Sequence, residues 1–110
     1  MTSGLRPDDR VLLLAIPSRH ELAATAKILT QGLLVGIGTR HEVDLARGWM
    51  AEFDNAMFIE ARPDQIPWRE AYFSKIVVPP QLETMLRHIG AELHRLLAPG
   101  GEIVRQTQEA

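Results

Sequence analysis

A chain of 110 residues with 45% hydrophobic and 24% charged residues has the size and composition of one domain with a single core. A net charge of −2 excludes the strongly basic character of general nucleic-acid binders, and the absence of cysteine excludes disulfides and thiolate metal sites. No apolar run approaches the roughly 20 residues of a membrane-spanning helix, and the N-terminus has no signal-peptide pattern. We therefore expect one cytoplasmic domain over residues 1–110, flexible at 1–9 and 106–110.

The first predicted unit is a buried strand followed by a helix. Residues 11–16 form a continuous aliphatic run that ends at Pro17, as expected for a strand buried on both faces of a parallel sheet. Ser18 and Glu21 then have the S-x-x-E spacing of a capping box, which predicts a helix start. Gly32 is placed to end this helix in a left-handed conformation.

The second unit repeats this arrangement. Residues 33–37 form another apolar run, and Gly38 turns the chain after it. Thr39 and Glu42 repeat the capping-box spacing. The helix behind them has a buried stripe at helical spacing, formed by Val43, Ala46, Met50 and Phe53.

A shorter apolar run at 56–59 predicts the third strand, and the pattern then breaks. Two prolines and several charged residues make 60–70 a surface loop, which Trp68 is expected to hold against the body of the domain.

The last elements follow in the same alternation. A fourth strand is predicted at 73–78, where Pro79 and Pro80 end it. Residues 81–97 have the strongest helical periodicity of the chain, and 102–105 form a short last strand.

This alternation predicts an α/β fold with right-handed crossovers, in which helices cover both faces of a parallel sheet. The expected architecture is a three-layer, doubly wound sheet of about five strands. Ligands bind beyond the carboxyl ends of such strands, so the site is expected at the rim formed by 17–20, 38–41, 60–64 and 79–81.

The order and spacing resemble the class I S-adenosylmethionine-dependent methyltransferases. Residues 11–23 lie where that family has a strand, a G-x-G-x-G turn and a helix, and 36–38 resemble the end of its second strand. Residues 64–68 with 73–78 resemble the approach to its fourth strand, and 96–104 resemble its L-x-P-G-G entry to the fifth. The resemblance covers nearly the whole chain. It implies a Rossmann-like methyltransferase fold that lacks the last two strands.

The resemblance also implies a cofactor site, but the residues of the family's glycine turn are changed. Its three glycines fall on Ala15, Pro17 and Arg19, with Ser18 inside the turn, and the acid inside the first strand falls on Leu13. Because Pro17 offers no N–H group and Arg19 would fill the space of the methionine moiety, the turn is expected to bind the cofactor poorly.

The two acidic cofactor contacts of the family are also changed. The acid that binds the ribose hydroxyls falls on Gly38, and the acid that holds the adenine amino group falls on Arg62, with Asp64 two residues on. The interpretation that follows is a methyltransferase-like domain with a degenerate site, acting as a non-catalytic binding or interaction module with weak or no S-adenosylmethionine binding. The alternative is a small methyltransferase with an atypical cofactor site.

A third hypothesis is a small-anion or phosphate binder. Arg19, Arg40 and Arg62 are predicted at the carboxyl ends of three neighbouring strands, two of them at helix N-termini that favour anions.

Residues 78–81 (V-P-P-Q) resemble the N-P-P-Y signature of amino-group methyltransferases, but a prolyl stop to the strand is the favoured interpretation.

A metal set is a further alternative, formed by His20 and His41 beside Glu21 and Glu42. The capping spacing already accounts for both glutamates, so no metal site is assigned.

Assembly is predicted from the last strand. In the family's strand order one side of this strand is left unpaired, and open edges are commonly covered by a partner. We expect a homodimer with Ile103 and Val104 at its interface, and a protein partner is a further possibility.

Overall fold

A computed structural model describes residues 4–106 and contains a five-stranded, fully parallel sheet. The strands are β1 (Arg10–Leu13), β2 (Leu33–Gly38), β3 (Ala56–Glu60), β4 (Phe73–Val78) and β5 (Leu97–Arg105). The helices are α1 (Arg19–Ile28), α2 (Arg40–Trp49) and α3 (Leu86–Leu96), with a 3₁₀ turn at Pro80–Met85 before α3. The strand order is β3-β2-β1-β4-β5, so the chain winds outward from β1 first in one direction and then in the other.

Two apolar cores cover the two faces of the sheet. The first joins α1 and α2 to one face through Leu22, Ala26 and Val43. The second joins α3 and the loop between β3 and β4 to the other face through Ile66 and Leu93. The three-layer, doubly wound parallel sheet predicted from the sequence is confirmed.

The first strand is shorter than predicted, because it ends at Leu13 and not at residue 16. Leu14 still donates its N–H to the carbonyl of Val77 at 3.3 Å. Ile16 is partly buried and packs against the α1 and α2 core from the loop. The aliphatic run therefore predicted the burial of residues 11–14 correctly, whereas Ala15 and Ile16 are partly buried in the loop after the strand.

The end of the first helix also differs from the prediction. The α1 helix is capped at Leu29, whose N–H bonds the carbonyls of Thr25 and Ala26. Gly32 does not have a positive φ, so its predicted left-handed cap is wrong. A glycine is needed there for a different reason: a Cβ would lie 2.0 Å from the carbonyl oxygen of Asp9.

The predicted helix over 81–97 is divided in two. Proline at its start supports a 3₁₀ turn, and regular α-helix begins only at Leu86. Strand β5 in turn begins at Leu97, earlier than predicted, and its register with β4 shifts between Phe73 and Lys75. Gly100 lies within this irregular start with a φ of 79°.

The segment before β1 is tied to β4 by a buried carboxylate. Asp9 accepts hydrogen bonds from the Arg6 N–H (2.7 Å) and the Ser74 hydroxyl (2.8 Å), and its Oδ1 lies 3.7 Å from Lys75 Nζ. Burial would raise the pKa of Asp9, but these hydrogen bonds and Lys75 lower it below its ordinary value. The flexibility expected of the chain ends stays a prediction, and residues 1–3 and 107–110 lie outside the described residues.

None of the helices in the described part of the chain is long and apolar enough to cross a membrane.

Candidate functional site

A cleft of about 1070 Å³ opens at the carboxyl ends of β1, β2 and β3. Its volume is that of sites that take drug-sized ligands. One side, called the turn wall here, consists of Leu14, Ala15, Gly38, Thr39 and Glu42. A second part of the lining, called the loop wall, consists of the cleft-lining residues of 60–67 together with Glu92 and Arg95 of α3.

The turn wall is built around the N-terminus of α2. The hydroxyl of Thr39 accepts the N–H of Glu42 at 3.3 Å, and Glu42 Oε1 accepts the N–H and the hydroxyl of Thr39 at 2.9 and 3.1 Å. The predicted capping box is therefore complete in α2. In α1 only half of it is present, because Ser18 accepts the Glu21 N–H at 3.2 Å without a reciprocal bond.

Three side chains pack against the two glycines near the carboxyl end of β2. A Cβ at Gly38 would lie 2.9 Å from Glu42 Oε1 and 3.0 Å from Ile16 Cγ1. A Cβ at Gly36 would lie 3.0 Å from Ile16 Cδ1 and 2.9 Å from Phe58 Cδ1. Ile16 thus packs over the carboxyl end of β2 from the turn that follows β1.

The loop wall is held by two side chains of α3. Arg95 donates to the carbonyls of Ile66 and Trp68, each at 2.9 Å, and Glu92 accepts the N–H of Ile66 at 2.7 Å. The two side chains also bond each other, with Arg95 Nε 2.8 Å from Glu92 Oε1. The hydrogen bond from Arg95 lowers the pKa of Glu92, and the Ile66 N–H adds to it against the opposing effect of burial.

The unpaired charge of the cleft is negative. Arg62 is neutralised by Asp64 at 2.7 Å, and Arg95 by Glu92. Glu42 and Glu60 also line the cleft, and within the described residues neither has an ion-pair partner.

The structure separates the predicted cofactor positions. Ala15, Gly38 and Arg62 line the cleft. Pro17 instead lines a cavity of about 190 Å³ between the ends of β1 and β4, together with Pro79 and Pro80. The other three predicted positions, Ser18, Arg19 and Asp64, do not line the cleft.

The predicted anion and metal residues are not gathered in the cleft. Arg62 lines it, but Arg19 and Arg40 are exposed first residues of α1 and α2 that do not. His20 and His41 are exposed too. Among residues 4–106, no group of three or more histidine and carboxylate side chains is placed to hold a metal ion.

The predicted interface residues lie on β5, at one edge of the described sheet. Ile103 packs against the core under α3, and Val104 packs against the core under α1 and α2. Both are partly buried within the chain, and their place in a homodimer stays a prediction.

Sequence reasoning placed Glu60 at the rim but missed the residues of α3 and the apolar lining. Glu92 and Arg95 have the i,i+3 spacing of a helical ion pair, which the sequence does reveal. The sequence carries no signal that this pair binds a loop 26 to 29 residues away. Leu14 and Leu82 line the cleft as well, and their aliphatic character predicts only burial.

No protein-family model matches the chain, and no curated protein matches it in sequence. Solved structures do match it. A SAM-dependent methyltransferase from Aquifex aeolicus matches with a TM-score of 0.81 at 18% identity, covering 93% of this chain and 57% of that chain. A putative methyltransferase from Pseudomonas syringae matches with a TM-score of 0.75 at 23% identity, covering 94% of this chain and 67% of that chain. The [4+2]-cyclase SpnF matches with a TM-score of 0.77 at 19% identity, covering 90% of this chain and 38% of that chain.

The chain therefore has the Rossmann-like fold of S-adenosylmethionine-dependent methyltransferases, as the sequence resemblance implied. It spans about half the length of the solved structures that it matches.

Proposed function

We propose that this methyltransferase-fold domain is a non-catalytic binding module, whose cleft takes a small ligand and for which S-adenosylmethionine is at most a weak ligand. A fold hosts many activities, so the function has to be argued from the site. The structures that share this fold include a [4+2]-cyclase as well as methyltransferases.

The observation that carries the proposal is the position of Ile16. In the family that the sequence resembles, the turn after β1 is glycine-rich and the end of β2 carries the acid that binds the ribose. Here Ile16 packs against Gly36 and Gly38 at that place, with its side-chain carbons 3.0 Å from where a Cβ of either residue would lie. The following Pro17 has no N–H to offer a ligand. Both changes work against a tightly held nucleoside at the end of β2.

The chemistry of the lining supports a binding role. General acid-base catalysis needs a titratable group that a neighbour orients and that remains free to exchange a proton. None of the described residues that line the cleft is histidine, lysine, cysteine or tyrosine. Glu42 is engaged with Thr39 and Glu92 with Arg95, which leaves Glu60 as the carboxylate without such a contact.

The charges of the cleft indicate the kind of ligand. Its arginines are paired, whereas Glu42 and Glu60 present carboxylate oxygens beside apolar surface from Leu14, Ile66 and Leu82. A ligand with an apolar or aromatic body and with hydroxyl or positively charged groups fits this lining, because carboxylates accept hydrogen bonds and attract cations. Phosphate and other small anions fit it less well.

Calorimetric titration with S-adenosylmethionine and S-adenosylhomocysteine tests the proposal. The expected dissociation constant for S-adenosylmethionine is weaker than about 1 μM, which corresponds to roughly −8 kcal/mol. S-adenosylmethionine, which carries a positive sulfonium, should bind more tightly than S-adenosylhomocysteine, whose sulfur is uncharged. Glu60→Gln should reduce this difference in affinity. Glu52→Gln, an exposed carboxylate that does not line the cleft, is the matched control. A submicromolar constant, or turnover of the methyl donor by the isolated chain, contradicts the proposal.

A further inference from the structure

We propose that Arg47 guards the β3 edge of the sheet and prevents β3 from pairing with β3 of a second copy of this chain. Within the described sheet β3 is an edge strand, hydrogen-bonded on one side to β2. Such an edge presents a row of N–H and C=O groups to solvent and can template pairing with another chain.

The ladder between β2 and β3 shows which backbone groups point outward. Leu34 donates its N–H to the carbonyl of Asn55 at 2.8 Å, and Ala61 donates its N–H to the carbonyl of Gly38 at 3.3 Å. Since ladder bonding alternates along a strand, the odd-numbered residues of this segment bond toward β2. The N–H and C=O groups of the even-numbered residues, centred on Phe58, therefore point away from the sheet.

Arg47 occupies the middle of this edge. Helix α2 brings its guanidinium beside β3, where Nε and Nη2 lie 3.2 and 2.8 Å from the carbonyl oxygen of Phe58. A second strand approaching this edge would need the same oxygen as its central acceptor. The guanidinium also places a positive charge and bulk where that strand would lie, and natural proteins protect edge strands with charges in this way.

The features of the edge fit a second copy of the same strand. An antiparallel two-fold pairing centred on Phe58 would place Glu60 of one chain opposite Ala56 of the other, so that no like charges oppose each other. Met57 is 45% exposed on this strand and Leu45 is 43% exposed on α2. A cavity of about 330 Å³ between Met50, Phe53 and Met57 also lies beside the edge, and Arg47 lines it.

The test compares Arg47→Ala with wild type by sedimentation over a concentration series. Arg47→Ala should add one association step that doubles the mass relative to wild type under the same conditions, whatever the wild-type mass is. Arg40→Ala removes the same charge from the exposed start of the same helix and should leave the mass unchanged. Hydrogen exchange gives a local readout, because the Phe58 N–H should exchange more slowly in the associated variant than in wild type.

A second variant separates edge pairing from other association. Glu60→Pro in the Arg47→Ala background removes an outward N–H from the edge without removing a bond to β2, and it should restore the wild-type mass. If Arg47→Ala does not fold, Arg47→Gln carries the test, because glutamine removes the positive charge and the two-nitrogen contact but keeps a polar side chain. A folded Arg47 variant with wild-type mass and wild-type exchange at Phe58 overturns the proposal. Association that persists with Glu60→Pro also overturns it.

Discussion

The two walls of the cleft are held by different kinds of contact. In the turn wall, Thr39 and Glu42 bond each other within one helix turn, and behind the wall Ile16 packs against glycines of the adjacent strand. In the loop wall, the backbone of Ile66 and Trp68 depends on Glu92 and Arg95, which lie on a separate helix. The turn wall is thus held by local contacts, whereas the loop wall is held by apolar packing of Ile66 and by an ion pair on a separate helix. The loop wall is therefore the side from which a single substitution removes contacts between distant segments.

The largest effect is expected from Arg95→Ala in the loop wall. This change removes two hydrogen bonds to carbonyls and leaves the partly buried Glu92 without its partner. Hydrogen bonds to charged groups contribute about 1.5–3 kcal/mol, so the free energy of unfolding should fall by about that amount in urea titration. The loss is large against a typical total of roughly 5–15 kcal/mol.

Arg87→Ala is the matched control for this change, since Arg87 is an exposed arginine of the same helix. Its unfolding midpoint should stay close to that of wild type. Equal midpoints for the two variants would mean that the loop wall does not depend on Arg95.

A smaller effect is expected in the turn wall, where the two helix starts can be compared directly. Thr39→Ala removes a hydroxyl that accepts the Glu42 N–H and donates to Glu42 Oε1, whereas Ser18→Ala removes a hydroxyl that accepts only the Glu21 N–H. Loss of a cap costs about 0.5–2 kcal/mol. Thr39→Ala should therefore lie near the upper end of that range and Ser18→Ala near the lower end in thermal unfolding. The reverse order would contradict the assigned capping geometry.

The smallest effect is a pH dependence confined to the loop wall. Because the pKa of Glu92 is lower in the folded chain than its ordinary value of 4.5, its contribution is fully present above that value. It is lost as the pH falls through the lower folded pKa. The fluorescence of Trp68, measured in a Trp49→Phe background, should report release of the loop below about pH 4.5. Glu92→Gln should remove this transition, and identical acid titrations of the two chains would exclude the mechanism.

The sequence predicted the parts of the fold that follow from local pattern. The β4 strand was placed at its observed bounds because an apolar run is closed there by Pro79 and Pro80. Both helix starts were found because capping spacing is a local property. Periodicity does not distinguish a buried strand from a buried turn, which is why residues 14–16 were assigned to β1.

The sequence predicted where the candidate site lies, but not which side chains pack around it and hold it in place. The carboxyl rim follows from parallel topology, and Gly38 and Glu60 were correctly placed on it. The packing of Ile16 against Gly36 and Gly38 could not be predicted, because it depends on the path of the turn after β1 in three dimensions. The binding of Ile66 by Arg95 is equally non-local, since it joins two segments that the sequence keeps 29 residues apart.

The central claim is that the turn after β1, through Ile16 and Pro17, keeps S-adenosylmethionine from binding tightly. The most direct test is the calorimetric affinity of Ile16→Ala/Pro17→Gly for S-adenosylmethionine, beside wild type and the loop-wall variant Arg95→Lys. The double variant removes the side chain over Gly38 and restores an N–H to the turn. We predict that its affinity rises at least tenfold, about 1.4 kcal/mol, and that Arg95→Lys gives no gain. A folded double variant with wild-type affinity or weaker would contradict the claim.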